Sequence, residues 1–326
     1  MRAVLCKTFC KPDGLVVEDF PEPGAPGPGQ VKVRIAAAGV QFVDVLMIAG
    51  EYQFKPEPPF IPGMEAAGTV EAVGNGVRGI APGDKVITRH RPGAFCERAV
   101  IDASAVLPMP ENLSFAQAAG FTSAYSTAYH SLVQGARLQP GETVLVHGAA
   151  GGIGLAAVQL AKLMGATVIA TASRDDKLEV VGENGADHLI NYSEGGFRDK
   201  VKALTGGRGA DVVYDPVGGD VFDESMRCIN WGARLLILGF TGGRPALAKT
   251  NHLLIKGASA IGIRMGGFNE HEPELARENM NKILQLAADG KVKPHVSHTF
   301  PLEEVAAAMQ VIVDRKLVGK CVLEVT

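Results

Sequence analysis

The stretch Thr143–Gly154, read TVLVHGAAGGIG, decides the fold. It opens with Thr143-Val144-Leu145-Val146-His147, an apolar run of the kind that makes a buried strand. It breaks into a glycine-rich turn and continues as Leu155-Ala156-Ala157-Val158-Gln159-Leu160-Ala161-Lys162, a good helix. A strand, a glycine turn and a helix N-terminus together make a socket for a pyrophosphate. The glycines admit a close backbone approach, and the helix end presents N–H groups and partial positive charge. Aligned on the spacing GxGxxG, the first glycine is replaced by Ala149. Gly151 and Gly154 hold the second and third places, with Ala150, Gly152 and Ile153 completing the turn.

Downstream of the turn, strands and helices alternate. Thr167–Ala170 is followed by a helix over Asp175–Gly182, His188–Ile190 by Phe197–Leu204, and Asp211–Tyr214 by Val221–Cys228. Arg234–Leu238 and Ser259–Ile263 are further strands. This alternation predicts a parallel sheet flanked by helices, an α/β doubly wound Rossmann domain. Upstream, the first 120 or so residues are β-rich. Val31–Ile35, Gly68–Gly74 and Asp84–Ile87 read as strands, separated by PEPGAPGPG (Pro21–Gly29) and KPEPPFIPG (Lys55–Gly63), which exclude helix and central strand. The pattern turns helical over Ser114–Gln134, with Ser114 placed to cap. Two helices, over 271–288 and 302–313, and a last strand, Gly319–Val325, close the chain. A final strand after the α/β block is expected to rejoin the first domain, which makes the Rossmann domain (123–264) an insertion between 1–122 and 265–326.

Composition narrows the function. The chain has 326 residues, 46% hydrophobic and 21% charged, with 40 glycines and 19 prolines. A net charge of −3 supports neither nucleic acid nor an anionic membrane as partner. No apolar run is long enough for a bilayer, and MRAVLCKTF lacks a signal-peptide core. Five scattered cysteines argue against a disulfide framework and for a reducing cytoplasm. Cys6 and Cys10 read as isolated core or surface thiols.

The end of the second strand bears on the cofactor. A site for NAD places a carboxylate about 20 residues past the turn, where it holds the ribose 2′-hydroxyl. Here the slot holds Ala172 and Ser173, followed by Arg174 and Lys177. A missing carboxylate beside two cations suits a 2′-phosphate, hence NADPH, although Asp175 and Asp176 dilute that charge.

These residues and their flanks resemble the medium-chain dehydrogenase/reductase superfamily, and within it the zinc-free quinone oxidoreductases. The resemblance runs through Ala38-Gly39-Val40-Gln41-Phe42-Val43-Asp44, Pro62-Gly63-Met64-Glu65-Ala66-Ala67-Gly68, Gly83-Asp84-Lys85-Val86, the glycine turn, and Ala210-Asp211-Val212-Val213-Tyr214-Asp215. It implies a GroES-like β domain, the inserted Rossmann domain, a cleft between them, and a homodimer. The superfamily's alcohol dehydrogenases carry a zinc-binding Cys where this chain has Gln41 and a zinc-binding His where it has Met64. Neither replacement is a Zn²⁺ ligand, so no metal is expected. Without zinc to stabilise an alkoxide, hydride transfer to an already activated acceptor, a quinone or an enone, is the expected chemistry.

The resemblance also places contacts. Thr127 is expected near the nicotinamide, and Ser173, Arg174, Lys177 and Tyr192 around the 2′-phosphate. Gly239, Phe240 and Thr241 are expected to border the dinucleotide, and Ile263 and Met265 to meet the carboxamide. Gln41, Tyr52, Phe54 and Met64 are the candidate substrate contacts. Gln41 replaces the group's usual Asn, and Tyr52 is able to hydrogen-bond an acceptor oxygen. Asp44 and Glu65 are expected to make structural hydrogen bonds. No residue is assigned as a catalytic acid. Two other functions fit the same fold: an enoyl- or acryloyl-CoA or enone reductase, and an NADPH-binding structural or RNA-associated protein without turnover.

Overall fold

The structure, a computed structural model, describes residues 1–193 and 195–325. The chain forms two compact units, Met1–Ser123 with Lys293–Thr326, and Ala124–Val292.

The second unit is built on a six-stranded sheet, all of whose pairings are parallel. Its spatial order is His188–Asn191, Thr167–Ala172, Thr143–Val146, Ala210–Asp215, Ile229–Ile237, Ser259–Gly262. The order reverses between Thr143–Val146 and Ala210–Asp215. In a doubly wound sheet ligands bind at that switch point, beyond the carboxyl ends of the strands. The helix after the glycine turn begins at Gly152, two residues before the end of the GxGxxG pattern, and runs to Leu163. His147 locks the first strand's end. It is fully buried, with Nδ1 2.8 Å from Thr171 Oγ1 and Nε2 2.8 Å from Ser225 Oγ. The Ser225 hydroxyl donates to the Val221 carbonyl, so it accepts from Nε2–H, and Nδ1 accepts from Thr171. Burial pushes the imidazole's pKa down to about 3, so the ring is neutral. His147 is thus a packing and tethering residue.

This unit continues to Val292, past the expected boundary at Arg264. Its last segment holds helices Met265–His271 and Pro273–Ala288. The second of these buries Asn279, Met280, Ile283, Leu284 and Ala287. Asn279 exchanges two amide hydrogen bonds with Gln134 at 3.2 and 3.1 Å. An amphipathic pattern predicts a buried face but not the unit against which it is buried. The helical region expected over Ser114–Gln134 is three pieces: Phe115–Ala119, Thr122–His130 and a π-turn, Ser131–Gly135. Ser114 caps the first of them in a reciprocal box with Gln117.

In the first unit a seven-stranded sheet runs Val296–Pro301, Lys320–Glu324, Gln30–Val40, Glu65–Val73, Lys85–Arg89, Val106–Pro108, with Arg98–Asp102 also paired to Gln30–Val40. The closing strand does return to this unit, pairing antiparallel with Ala37–Val40 through Cys321–Glu324. A short helix, Phe42–Ile48, follows the long central strand. Its buried Met47 and Ile48 join a core with Ile35, Val40, Phe95, Val305 and Met309.

Candidate functional site

In the second unit, strand direction gathers the expected cofactor residues at one edge of the sheet. Each strand's carboxyl end delivers part of the set: the glycine turn after Val146, Ser173 and Arg174 after Ala172, Tyr192 after Asn191, Gly239–Thr241 after Ile237, and Ile263 and Met265 after Gly262. Thr127 belongs to helix Thr122–His130 rather than to a strand end, and its carbonyl accepts from Ser131 Oγ at 2.6 Å.

The glycine turn is a cradle by exclusion. A Cβ on Gly154 would lie 2.4 Å from the Gly148 carbonyl oxygen and 2.8 Å from Ala149 Cα. The helix can approach the strand this closely only without a side chain there. Gly148 has φ +55°, and a Cβ on it would meet Pro216 and Val217 at 3.4 and 3.5 Å. Ala149, in the first glycine's place, is fully buried and its N–H donates to Thr171 O at 3.1 Å. Its methyl group is therefore accommodated inside. Gly151 caps the helix in an extended conformation with no side-chain cap, so the first-turn N–H groups beyond it have no carbonyl within the helix. These features fit a pyrophosphate. Gly154→Ala is expected to lower stability by about 1–3 kcal/mol through overpacking and to weaken dinucleotide binding about tenfold. Fluorescence titration alongside denaturant unfolding checks both. Unchanged binding would show that the turn does not hold the dinucleotide.

One contributor escaped the sequence reading. Asp215, 1% exposed, accepts from the N–H groups of Val217 and Gly218 at 2.7 and 3.0 Å, and Pro216 O accepts from Thr241 N at 3.2 Å. This loop floors the switch point opposite Gly148. Burial holds the Asp215 carboxyl above its usual range. The signal was present as Asp215-Pro216-Val217-Gly218-Gly219 at a strand end.

At the second strand the cations are not both solvated. Lys177 is 6% exposed, and burial lowers its pKa. Arg174 is exposed and forked onto Asp176, Nε to Oδ1 at 2.9 Å. That fork occupies the guanidinium face a phosphate would use. Asp176→Asn is therefore expected to tighten NADPH about three- to tenfold and leave NADH unchanged, and Arg174→Ala to weaken NADPH about tenfold, as loss of a charge-assisted hydrogen bond implies. Paired dissociation constants for the two cofactors test this. Equal effects on both would contradict it. Tyr192, half-buried, donates its backbone N–H to Ala172 O at 3.1 Å. Phe240 is exposed, Thr241 Oγ1 donates to Pro216 O at 3.1 Å, and Ile263 N donates to Ile237 O at 2.9 Å.

In the first unit, Gln41 heads helix Phe42–Ile48. Its backbone N–H donates to Asp44 Oδ2 at 2.8 Å, and its side-chain Oε1 accepts from Ser123 Oγ at 2.8 Å. Its Nε2 is buried without a partner. An amide held by its oxygen, with its N–H groups unmatched, is a donor ready for an acceptor oxygen. Ser123 is itself placed by Glu65, whose Oε2 accepts from Ser123 N at 2.7 Å and Thr122 Oγ1 at 2.9 Å. Tyr52 and Met64 are half-buried against the core that holds Met47 and Phe95, whereas Phe54 is exposed. Asp44 and Glu65 make structural hydrogen bonds. Ser123, Thr122 and Lys320 complete this cluster and were not read from sequence, because they lie far from Gln41 in the chain. Among the described residues no group of three His, Cys, Asp or Glu gathers as a metal site.

The chain matches the zinc-binding dehydrogenase family over residues 152–282 and the alcohol dehydrogenase GroES-like domain over 27–134. It is 43% identical to quinone oxidoreductase-like protein 2 homolog of Nematostella vectensis over 325 residues, 99% of this chain and 88% of that protein. Among solved structures it is similar to an NAD-dependent alcohol dehydrogenase (34% identity, all of both chains, TM-score 0.91). It is similar also to Escherichia coli quinone oxidoreductase complexed with NADPH (29% identity, 99% of this chain and 100% of that one, TM-score 0.89).

Proposed function

Because this chain belongs to the zinc-free quinone oxidoreductase group of the medium-chain dehydrogenase/reductase superfamily, and is an oxidoreductase of that type, we propose that it reduces a quinone or similarly activated carbonyl compound with NADPH. The observation that carries this is Gln41. Where the alcohol dehydrogenases hold zinc, an amide clamped by Ser123 offers N–H donors instead. Such donors polarise a carbonyl already prone to accept hydride, but do not ionise an alcohol.

NADPH, when bound, supplies the hydride. The chain's own residues do the rest of the binding. Gly151–Gly154 and the helix behind them take the pyrophosphate, and Arg174 with Lys177 favours the 2′-phosphate. Thr127, Gly239–Thr241, Ile263 and Met265 are proposed to border the remainder of the cofactor. Tyr52, Met64 and Phe54 are proposed to line the acceptor side with Gln41. The relatives' own descriptions include both an NADPH complex and an NAD-dependent enzyme, so the choice between cofactors rests on Ala172, Ser173, Arg174 and Lys177.

The test is NADPH and NADH oxidation across small quinones, enals, enones and enoyl-CoAs. Turnover of quinones with NADPH preferred is expected. Turnover confined to enoyl-CoAs would move the acceptor to thioesters, and tight NADPH binding without any turnover would favour the structural reading. We also propose a homodimer. Strand Ser259–Gly262 ends the sheet with one neighbour, and Trp231, Leu254 and Ile255 beside it are 73%, 81% and 67% exposed. An open apolar edge is satisfied by a second copy continuing the sheet. Sedimentation as a monomer would refute it.

A further inference from the structure

Cys6 and Cys10, isolated in sequence, are neighbours in the fold. Cys6 is fully buried and bridges Phe60 through two backbone hydrogen bonds of 2.9 and 3.2 Å. Cys10 is half-buried, and its N–H donates to Ile48 O at 2.8 Å. Cys6 Sγ lies 3.9 Å from that same carbonyl oxygen and 3.1 Å from Thr8 O. Both residues therefore reach the Ile48 carbonyl, and Cys10 packs against the core that holds Cys6. Between them Lys7, Thr8 and Phe9 form an exposed bend, free of helix or strand. Cys96, Cys228 and Cys321 are each buried elsewhere.

We infer that Cys6 and Cys10 are a dithiol pair that closes to an intramolecular disulfide by exchange with a low-molecular-weight disulfide such as glutathione disulfide. Cys10, the less buried of the two residues, attacks first. Its thiolate forms a bond to one glutathione sulfur, the glutathione S–S bond breaks, and one glutathione thiolate leaves. Cys6 then loses its proton to solvent and attacks the Cys10 sulfur, expelling the second glutathione thiolate. Two protein thiols are oxidised, one disulfide is reduced to two thiols, and the two protons lost by the protein end on the departing glutathiones. Burial pushes the Cys6 thiol up to about 12 and raises Cys10 as well. The exchange is therefore slow at neutral pH and accelerates as pH rises.

The position gives the bond a structural consequence. The pair grips Ile48, the last residue of the helix that Gln41 heads, and the Phe9 ring lies against Gly50, where a Cβ would meet it at 3.1 Å. Closing the disulfide removes the Cys6 S–H donor from the Thr8 and Ile48 carbonyls.

The experiment uses the full chain, incubated with excess glutathione disulfide at mildly alkaline pH, then alkylated under denaturing conditions and peptide-mapped. Two of the five thiols are expected to disappear into a Cys6–Cys10 cross-link that dithiothreitol reverses. Cys10→Ser should retain its four thiols, and Cys6→Ser should instead stop at a glutathione adduct on Cys10. Five alkylatable thiols after equilibration would overturn the inference. So would a different pairing, or an adduct on Cys10 of the wild-type chain that never closes. The outcome is independent of the acceptor, so it stands or falls apart from the proposed reductase activity.

Discussion

Replacing Lys320 with methionine is expected to destabilise the first unit by about 3–5 kcal/mol, the cost typical of stranding a buried charge. Lys320 Nζ is 4.0 Å from Glu65 Oε1, and the two side chains are 8% and 2% exposed. The Lys320 stem fits because residue 120 is glycine, where a Cβ would lie 2.9 Å from Lys320 Cε. Glu65 Oε1 has no hydrogen-bond partner, so the ammonium group balances that oxygen through charge alone. Burial already holds the Glu65 carboxyl above its usual range, with Lys320 as the largest opposing influence and Arg89 a lesser one. Without Lys320 the carboxylate either stays charged in an apolar setting or takes up a proton. The double variant Lys320→Met with Glu65→Gln should recover most of the loss, since the glutamine still accepts from Ser123 and Thr122. Denaturant unfolding of the single and double variants measures this. A loss below about 1 kcal/mol for Lys320→Met would mean that Glu65 is not left as a stranded charge, because Arg89 balances it or it takes up a proton.

Asp44 should give the protein a pH-dependent stability opposite in sign to that of an ordinary surface carboxylate. It is fully buried. Burial raises its pKa to about 7 against the hydrogen bond from the Gln41 backbone N–H, with Lys320 lowering and Glu65 raising it. Between the unfolded pKa near 4 and the folded value, the folded state binds more protons than the unfolded one. Stability therefore falls as pH rises through that window and levels off above it. The full drop attributable to Asp44 is about 4 kcal/mol. Asp44→Asn keeps the acceptor for Gln41 N–H but cannot ionise, so it should remove this component. Its amide nitrogen replaces Oδ1, which is buried without a partner, so the variant also carries a constant penalty. The diagnostic is thus the slope of the difference between wild type and variant across pH 4 to 7, not the difference at one pH. Parallel curves would show that Asp44 titrates as in water.

Much of the second unit could be read directly, because its structure follows local rules. The run Thr143–Val146, the glycine turn and the helix after it are neighbours in sequence, and the strand–helix alternation fixes a parallel sheet by itself. The helix Phe197–Leu204 has the bounds its sequence predicts. Short helices were harder. Phe42–Ile48 and Thr250–Lys256 have only seven residues each, too few turns for periodicity to declare itself. The amphipathic stretch 273–288 signalled a buried face without naming its unit, because the choice depends on partners such as Gln134.

By itself, then, the sequence determined the doubly wound sheet, the glycine turn with its glycine at 154, the return of the last strand to the first unit, and the residue types Gln41 and Met64 at positions the resemblance singles out. Each follows from residue type and spacing within a few turns of chain. Tertiary structure alone decided which groups face one another. It forked Arg174 onto Asp176, set Lys320 beside Glu65, turned Gln41 so that its nitrogen is the unmatched atom, and brought Cys6 to Cys10. The physical reason is that hydrogen bonds and charge pairs act over a few ångströms. A linear sequence does not state which side chains burial brings within that range.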